Sequence, residues 1–367
     1  MHILIAPNAF KNSLTAEEAA TAILRGLQES TLSFTADCFP VGDGGDGTGD
    51  LLIAKLGAKK IAAIARDPFQ KERTTYFGLT ADNSTAVIEM ANASGLRLLG
   101  DRPPDPLHAS SCGTGDLIRA ALDHKARHII LGMGGSATVD GGAGILTALG
   151  VRISENEIDT AGLDPRLAGA RLTVLCDVNN PLLGPLGAAA VFGPQKGATP
   201  QAVQQLELRL QDLAGLIYKT TGKEIATLPA GGTAGGAAAG LYGVLGAGLV
   251  NGIDYFLQLT GFDKALENTN LVITGEGSID KQTLQGKGPF GVASRAKKKN
   301  LPVIGLAGRL PQQKDPDLDL YFDALLPINH QLLPLPEALA QTAANLTAAA
   351  RAIGNLLGPD ITRLRGK

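Results

Sequence analysis

Tryptophan is absent from this chain of 367 residues, and aromatic residues make up only 4% of it. The cores must therefore be built from Ala, Leu, Ile and Val. Cysteine is scarce, with Cys38, Cys112 and Cys176 far apart and in no metal-ligand spacing. An odd count in a chain large enough for an aliphatic core points away from a secreted disulfide scaffold and toward a reduced, cytoplasmic setting. Excess positive charge is also missing, since the net charge is −2 and the one basic run is Lys297–Lys299. A nucleic-acid partner, which asks for a basic face, is not expected. No stretch of about 20 apolar residues suggests a membrane span. The glycines of 233–250, the nearest candidate, argue for loops and tight packing. Met1–Ala6 lacks the charged-then-apolar layout of a secretory leader. A Walker A loop is missing too, because Gly286-Lys287 is followed by Gly288 and not by Ser or Thr. The five histidines show no pair at ligand spacing, so a zinc site is not expected.

Glycine is abundant instead: 47 residues, about twice the usual share. Many of them stand where an apolar run gives way to a helical pattern. The clearest case is Ile129–Gly144, an apolar strand followed by Gly134, Gly135, Ser136, Thr138 and Asp140 and then a helix. Similar loops recur at Gly42–Gly49, Gly113–Asp116, Gly193–Ala198, Gly231–Gly236 and Gly275–Gly288. Glycines let backbone approach a ligand closely, and helix starts favour anions. Repetition of this layout suggests a site for phosphates.

The element pattern is α/β. Strands are expected at Ile3–Pro7, Ala36–Val41, Leu172–Cys176, Leu271–Thr274, Val303–Ala307 and Ala324–Ile328, with several more across Ile61–Met90. Helices are expected after the capping box Thr15–Glu18, over Gln201–Thr221 and Gly288–Lys299, and as one terminal helix over Glu337–Leu357. The strand-rich middle differs in texture from both ends. That difference predicts a Rossmann-like discontinuous domain, 1–75 with 255–367, and an inserted mixed α/β domain, 76–254.

Three groups of residues carry candidate chemistry. Gly132–Ala137 fits the dinucleotide fingerprint Gly-x-Gly-x-x-Ala, with Glu155 about 20 residues on, which would suit a nicotinamide-dependent oxidoreductase. Acidic residues sit among glycines after strands: Asp43, Asp46, Asp177, Glu276 and Asp280. Carboxylates beside phosphate loops suit Mg²⁺ and can orient an attacking hydroxyl, although an Asp in a glycine loop can also simply form a turn or cap a helix. Lys11, Lys196 and Lys287 stand alone in loops, the last two beside glycine, where a lysine can meet phosphate as a point charge.

Taken together and in order along nearly the whole chain, these blocks resemble bacterial glycerate kinases of the type-I, glycerate 2-kinase family. The resemblance rests on Ile5–Leu14, Gly42–Thr48, Glu89–Leu96, Ser111–Gly115, Gly134–Gly142, Cys176–Leu182, Val191–Ala198 and Leu271–Lys287. It implies ATP- and Mg²⁺-dependent phosphorylation of D-glycerate to 2-phosphoglycerate, on two α/β domains with the active site in the cleft between them; a homo-oligomer stays open. Departures from the family pattern are Asn8 in place of Asp, Ala9 and Asn12 in place of Ser and Gly, Asp46 in place of Glu, Val139 in place of Asn, and Ser278 in place of Arg or Lys. On this basis Gly134, Gly135, Ser136, Thr138, Gly275, Gly277 and Lys287 are expected to hold nucleotide phosphates. Asp43, Asp177 and Asp280 are candidates for Mg²⁺. Asp280 or Asp177 would orient the glycerate hydroxyl, and Lys11 as a catalytic cation, or Lys287 or Arg66, would receive the substrate carboxylate or the transferring phosphoryl group. Asp43, Asp46, Ser13 and Arg66 are expected at the substrate.

Overall fold

The structure, a computed structural model, describes residues 1–313 and 315–358. Thirteen strands occur among them. The first ten are β1 His2–Ile5, β2 Thr35–Cys38, β3 Lys59–Arg66, β4 Glu72–Leu79, β5 Thr85–Glu89, β6 His128–Gly132, β7 Arg152–Ile153, β8 Ile158–Asp159, β9 Arg171–Cys176 and β10 Gly248–Asn251. The last three are β11 Leu271–Ser278, β12 Val303–Arg309 and β13 Ala324–Pro327. The chain divides into two compact units, Met1–Asp43 with Ile253–Lys367, and Gly44–Gly252.

The first unit is built on a sheet in the order β13-β12-β11-β1-β2, with every neighbour parallel. Parallel strands covered by helices bury both faces, so β1 reads Ile3, Leu4 and Ile5 with all three fully buried. The helix Ala16–Gln28 begins with the expected capping box: Thr15 Oγ1 accepts from Glu18 N, and a Glu18 side-chain oxygen accepts from Thr15 N. It packs against the helix Thr342–Leu357 at very short range. A Cβ on Gly26 would lie 2.1 Å from the Thr347 carbonyl oxygen, so only glycine fits there. The expected single terminal helix is in fact two, Leu335–Ala340 and Thr342–Leu357, separated at Gln341.

The second unit carries a six-stranded sheet, β10-β9-β6-β5-β4-β3. Its β10, β9, β6 and β5 run parallel, while β4 and β3 are antiparallel additions at one edge. Since β3 is hydrogen-bonded to β4, residues 44–75 go with this unit and not, as the sequence reading had it, with the first. The core is aliphatic: Ile88, Leu117, Ile129, Leu131 and Val174 pack with Phe77 as the large aromatic. A second cluster forms beneath the long helix Pro200–Thr221, whose Leu206, Leu210, Leu213 and Ile217 face Leu146, Val151 and Leu182. The glycine-rich stretch 233–250 is a buried helix, Ala237–Leu245, leading into β10. Among the described residues no helix is long and apolar enough to cross a membrane.

Candidate active site

In each unit the polar loops gather at the carboxyl ends of parallel strands, where open α/β sheets place their ligands. In the first unit, β1 runs into Asn8 and β11 ends at Ser278. Asn8 N donates to the Gly275 carbonyl at 2.8 Å, tying the two strand ends together. The Asn8 side-chain amide donates to Asp43 Oδ2 at 2.8 Å. The same oxygen accepts from Gly288 N at 3.3 Å, at the start of the helix Gly288–Lys298. Asp43 is thus a buried acid at a helix N-terminus, a position the helix dipole stabilises.

Glu276, on β11, is buried, and its Oε1 accepts from Thr283 Oγ1 at 3.0 Å. Burial pushes its carboxyl up to about 8, and Asp43 and Asp280 push the same way against Lys287, which pulls it down. Asp280 is half-buried; its Oδ1 accepts from Gln282 N at 2.8 Å, and Asp280 N donates to Thr283 Oγ1 at 3.0 Å. Lys287 stands at the N-cap position of the helix Gly288–Lys298 without a side-chain cap hydrogen bond, near enough to act on Glu276. Lys11 is exposed. The Ser13 hydroxyl donates to the Leu339 carbonyl at 2.6 Å, so toward a substrate it can act only as an acceptor. Gly275 and Gly277, expected in a phosphate loop, lie within β11, where Gly275 pairs with Leu306 of β12. A strand in a ladder has fewer backbone N–H groups to offer an anion than a loop has.

In the second unit, β5 and β6 end side by side, with Glu89 opposite Gly132 in the register. Two glycine loops meet there. Met133 N and Gly134 N both donate to the Gly44 carbonyl, at 3.1 and 3.0 Å. A Cβ on Gly134 would lie 2.0 Å from Asp46 N, so the second glycine of the motif is required by this close approach. Glu89 holds the first loop: Oε1 accepts from Gly47 N at 2.7 Å and Oε2 from Gly49 N at 2.9 Å. Burial, and then Asp46 alongside, push the Glu89 carboxyl up to about 8. Arg97 closes the group, with Nη1 3.3 Å from Asp46 Oδ1 and Nη2 bonded to Asn92 Oδ1.

The loop after β6 carries Gly135 at the surface and Ser136 and Thr138 buried. Asp140 is a structural acid here, accepting from Ser111 N and Oγ and from Gly142 N and Gly144 N. Asp177 follows β9 directly and is half-buried. Cys176, before it, is a buried strand-end residue whose thiol burial pushes up to about 12, so it is no nucleophile.

Two expectations need correction. Arg66 is engaged by Asp116 in a forked pair, Nε to Oδ2 at 2.8 Å and Nη2 to Oδ1 at 2.7 Å. This pairing raises the guanidinium further and, outweighing burial, lowers Asp116. The fork is occupied, so Arg66 has none to give a substrate carboxylate. The dinucleotide fingerprint also fails. Ten residues separate the end of β6 from the helix Ala143–Ala148, where the fingerprint needs a tight strand-to-helix turn, and Glu155 is exposed in the turn between β7 and β8.

Residues 3–358 match the model of the glycerate kinase family. The chain belongs to the glycerate kinase family. It is 41% identical to the glycerate kinase of Halalkalibacterium halodurans over 96% of this chain and 97% of that one. It is 39% identical to the glycerate 2-kinase of Escherichia coli, with 97% and 98% covered. Among solved structures, the crystal structure of a Salmonella typhimurium LT2 protein assigned as glycerate kinase 2 matches with a TM-score of 0.80 at 39% identity, covering 99% of each chain. Glycerate kinases are phosphotransferases and not nicotinamide-dependent oxidoreductases.

Glu89, Asn92, Arg97 and Thr283 were not read as site residues from the sequence. An acid ending an otherwise apolar strand, as in Thr85–Glu89, is the signal that points to Glu89.

Proposed function

We propose that the protein transfers the γ-phosphoryl group of ATP to the 2-hydroxyl of D-glycerate with Mg²⁺ present, releasing 2-phosphoglycerate and ADP. The observation that carries this is family membership across residues 3–358, joined to 39% identity with a relative named glycerate 2-kinase. The glycerate hydroxyl oxygen bonds to phosphorus, the bond from phosphorus to the β,γ-bridging oxygen breaks, and the hydroxyl proton passes to a carboxylate.

Phosphoryl transfer asks a protein mainly for positioning and charge neutralisation. The half-exposed carboxylate of Asp280 suits the role of orienting the hydroxyl, with Asp177 as the other candidate. The loop Gly134–Thr138 offers Gly135 N–H and the Ser136 and Thr138 hydroxyls to phosphate oxygens, and Lys287 at a helix start offers a cation. Lys11 is the exposed cation available to the glycerate carboxylate or the transferring group, with Asp43, Asp46 and Ser13 at the substrate hydroxyls. Mg²⁺ takes hard oxygen ligands and commonly keeps water and phosphate oxygens, using only one or two carboxylates. One or two of Asp43, Asp177 and Asp280 would supply such carboxylates. Among the described residues no three His, Cys, Asp or Glu side chains converge as a complete protein cage. When bound, the ion would neutralise charge on the phosphate oxygens.

The deciding experiment measures ADP release from ATP and Mg²⁺ with and without D-glycerate, with the product identified by ³¹P NMR. Glycerate-dependent release with phosphorus coupled to the C2 proton is the expected result. Coupling to the C3 protons would overturn the position, and no stimulation by glycerate would overturn the acceptor.

A further inference from the structure

Lys196 has no part in the reaction as proposed above, yet it is one of the few buried charged side chains among the described residues, 3% exposed. It ends a short 3₁₀ turn, Pro194–Lys196, after the helix Ala188–Phe192, and its backbone N–H is held by the Gly193 carbonyl at 3.0 Å. The side chain reaches under the loop that follows β6. There Nζ lies 2.8 Å from Ser136 Oγ and 2.8 Å from the Thr138 carbonyl oxygen. Fixing a lysine in this way costs rotamer entropy and desolvation, which a surface lysine avoids.

An ammonium can only donate, whereas a serine hydroxyl can donate or accept. With Lys196 donating to it, Ser136 Oγ is an acceptor on that side, and its own proton must be directed elsewhere. The contact also withdraws electron density from the Ser136 hydroxyl and makes that proton a better donor. Two residues on, Thr138 Oγ1 is wholly buried and has no hydrogen-bond partner among the described residues. Buried hydroxyls in native proteins are nearly always partnered, so an unused one signals a missing partner. The loop therefore holds one hydroxyl whose proton is turned away from Lys196 and one hydroxyl without a partner, beside a buried positive charge. A cation is a poor match for that combination; an anionic oxygen is a good one.

We propose that Lys196 is a positioning residue that acts through Ser136, locking this hydroxyl as a donor to an anionic oxygen of a reactant. The oxygen belongs to a nucleotide phosphate or to the glycerate carboxylate, which share this chemistry. Lys196 itself need not touch the reactant. The identity of the reactants rests on the proposed function; the donor role of Ser136 does not.

The test is calorimetric titration of the full-length protein with D-glycerate and, separately, with a non-hydrolysable ATP analogue and Mg²⁺. The proteins compared are the wild type, Lys196→Met, Lys196→Arg, Ser136→Ala and the Lys196→Met/Ser136→Ala double variant. Each of Lys196→Met and Ser136→Ala should weaken one of the two ligands by about tenfold or more, the size of a hydrogen bond to a charged group. The double variant should be no weaker than either single one, and Lys196→Arg, still donor-only, should retain more affinity than Lys196→Met. Loss confined to glycerate identifies the carboxylate, and loss confined to the analogue identifies phosphate.

Losses from Lys196 and Ser136 that multiply would overturn the proposal, as would unchanged affinities in Lys196→Met. If Lys196→Met does not fold, Ser136→Ala alone decides, since an unaltered affinity there overturns the idea. A wild type that binds a reactant but forms no ADP would sink the proposed function and leave this inference standing. A wild type that binds neither ligand would overturn the inference itself.

Discussion

Asn8 donates its side-chain amide to Asp43 Oδ2 at 2.8 Å, and its own Oδ1 accepts from Ala9 N at 2.8 Å. An amide is the right group for both contacts, because one end donates and the other accepts. Asn8→Asp replaces the donor with a second carboxylate facing Asp43. Two such groups in contact cannot both ionise freely, so one of them must hold a proton. The variant should fold near pH 4 with little loss. It should then lose stability relative to wild type as pH rises toward 8, by on the order of 1–3 kcal/mol. Thermal midpoints of both proteins at pH 4.5 and 8 check this; a gap that does not widen with pH would refute it.

Glu89 gives a second pH signature. Its carboxyl, ordinarily near 4.5, is raised to about 8 in the folded protein by burial and by Asp46. The folded state then binds more protons than the unfolded one between those two values. Stability from this group is full below about 4.5, declines as pH rises through 8, and is flat above. The slope is on the order of 1 kcal/mol per pH unit at its steepest. Glu89→Gln cannot ionise and should remove that part of the slope, while also costing one acceptor for the Gly47 and Gly49 N–H groups. Urea denaturation across pH 5 to 9 separates the two effects, since the lost acceptor shifts the whole curve and the lost titration flattens it.

Asp280→Asn keeps the oxygen that Gln282 N uses, so folding should be close to wild type. If Asp280 orients the attacking hydroxyl, kcat should fall by about 10²- to 10⁴-fold. Turnover within a few-fold of wild type, in a protein with an unchanged thermal midpoint, would take Asp280 out of the reaction.

Asp177→Asn distinguishes a metal ligand from a base. Weakened metal binding should raise the Mg²⁺ concentration needed for half-maximal rate and be partly restored at high Mg²⁺. A rate that stays low at saturating Mg²⁺ would favour the role of base.

Gly26→Ala should destabilise the first unit by about 1–3 kcal/mol, because the new methyl would meet the Thr347 carbonyl at 2.1 Å and the two helices would have to part. Chemical denaturation measures the loss. A variant as stable as wild type would mean that the helix pair yields at little cost.

Local signals were legible in the sequence. The Thr15–Glu18 capping box, the strand–glycine-loop junction at Gly132–Thr138 and the strand-end position of Cys176 all follow from short-range rules, and each is where those rules put it. What stayed hidden depends on partners far along the chain. Arg66 reads as an available cation until Asp116, fifty residues on, is seen to fill its fork. Glu89 reads as the end of an apolar strand until the loop Gly47–Gly49 folds over it. The extent of β11 was underread because Gly275 and Gly277 look like loop glycines, and only pairing with β12 reveals a strand. The same holds for β3, which an antiparallel pairing, and not its own composition, draws into the second sheet.

The cysteines set how the molecule can be labelled. Cys112 and Cys176 are buried, and the Cys176 thiol is kept neutral at ordinary pH, whereas Cys38 is exposed on β2 at the edge of the five-stranded sheet. A maleimide dye or nitroxide would therefore attach at one known place in the unaltered chain.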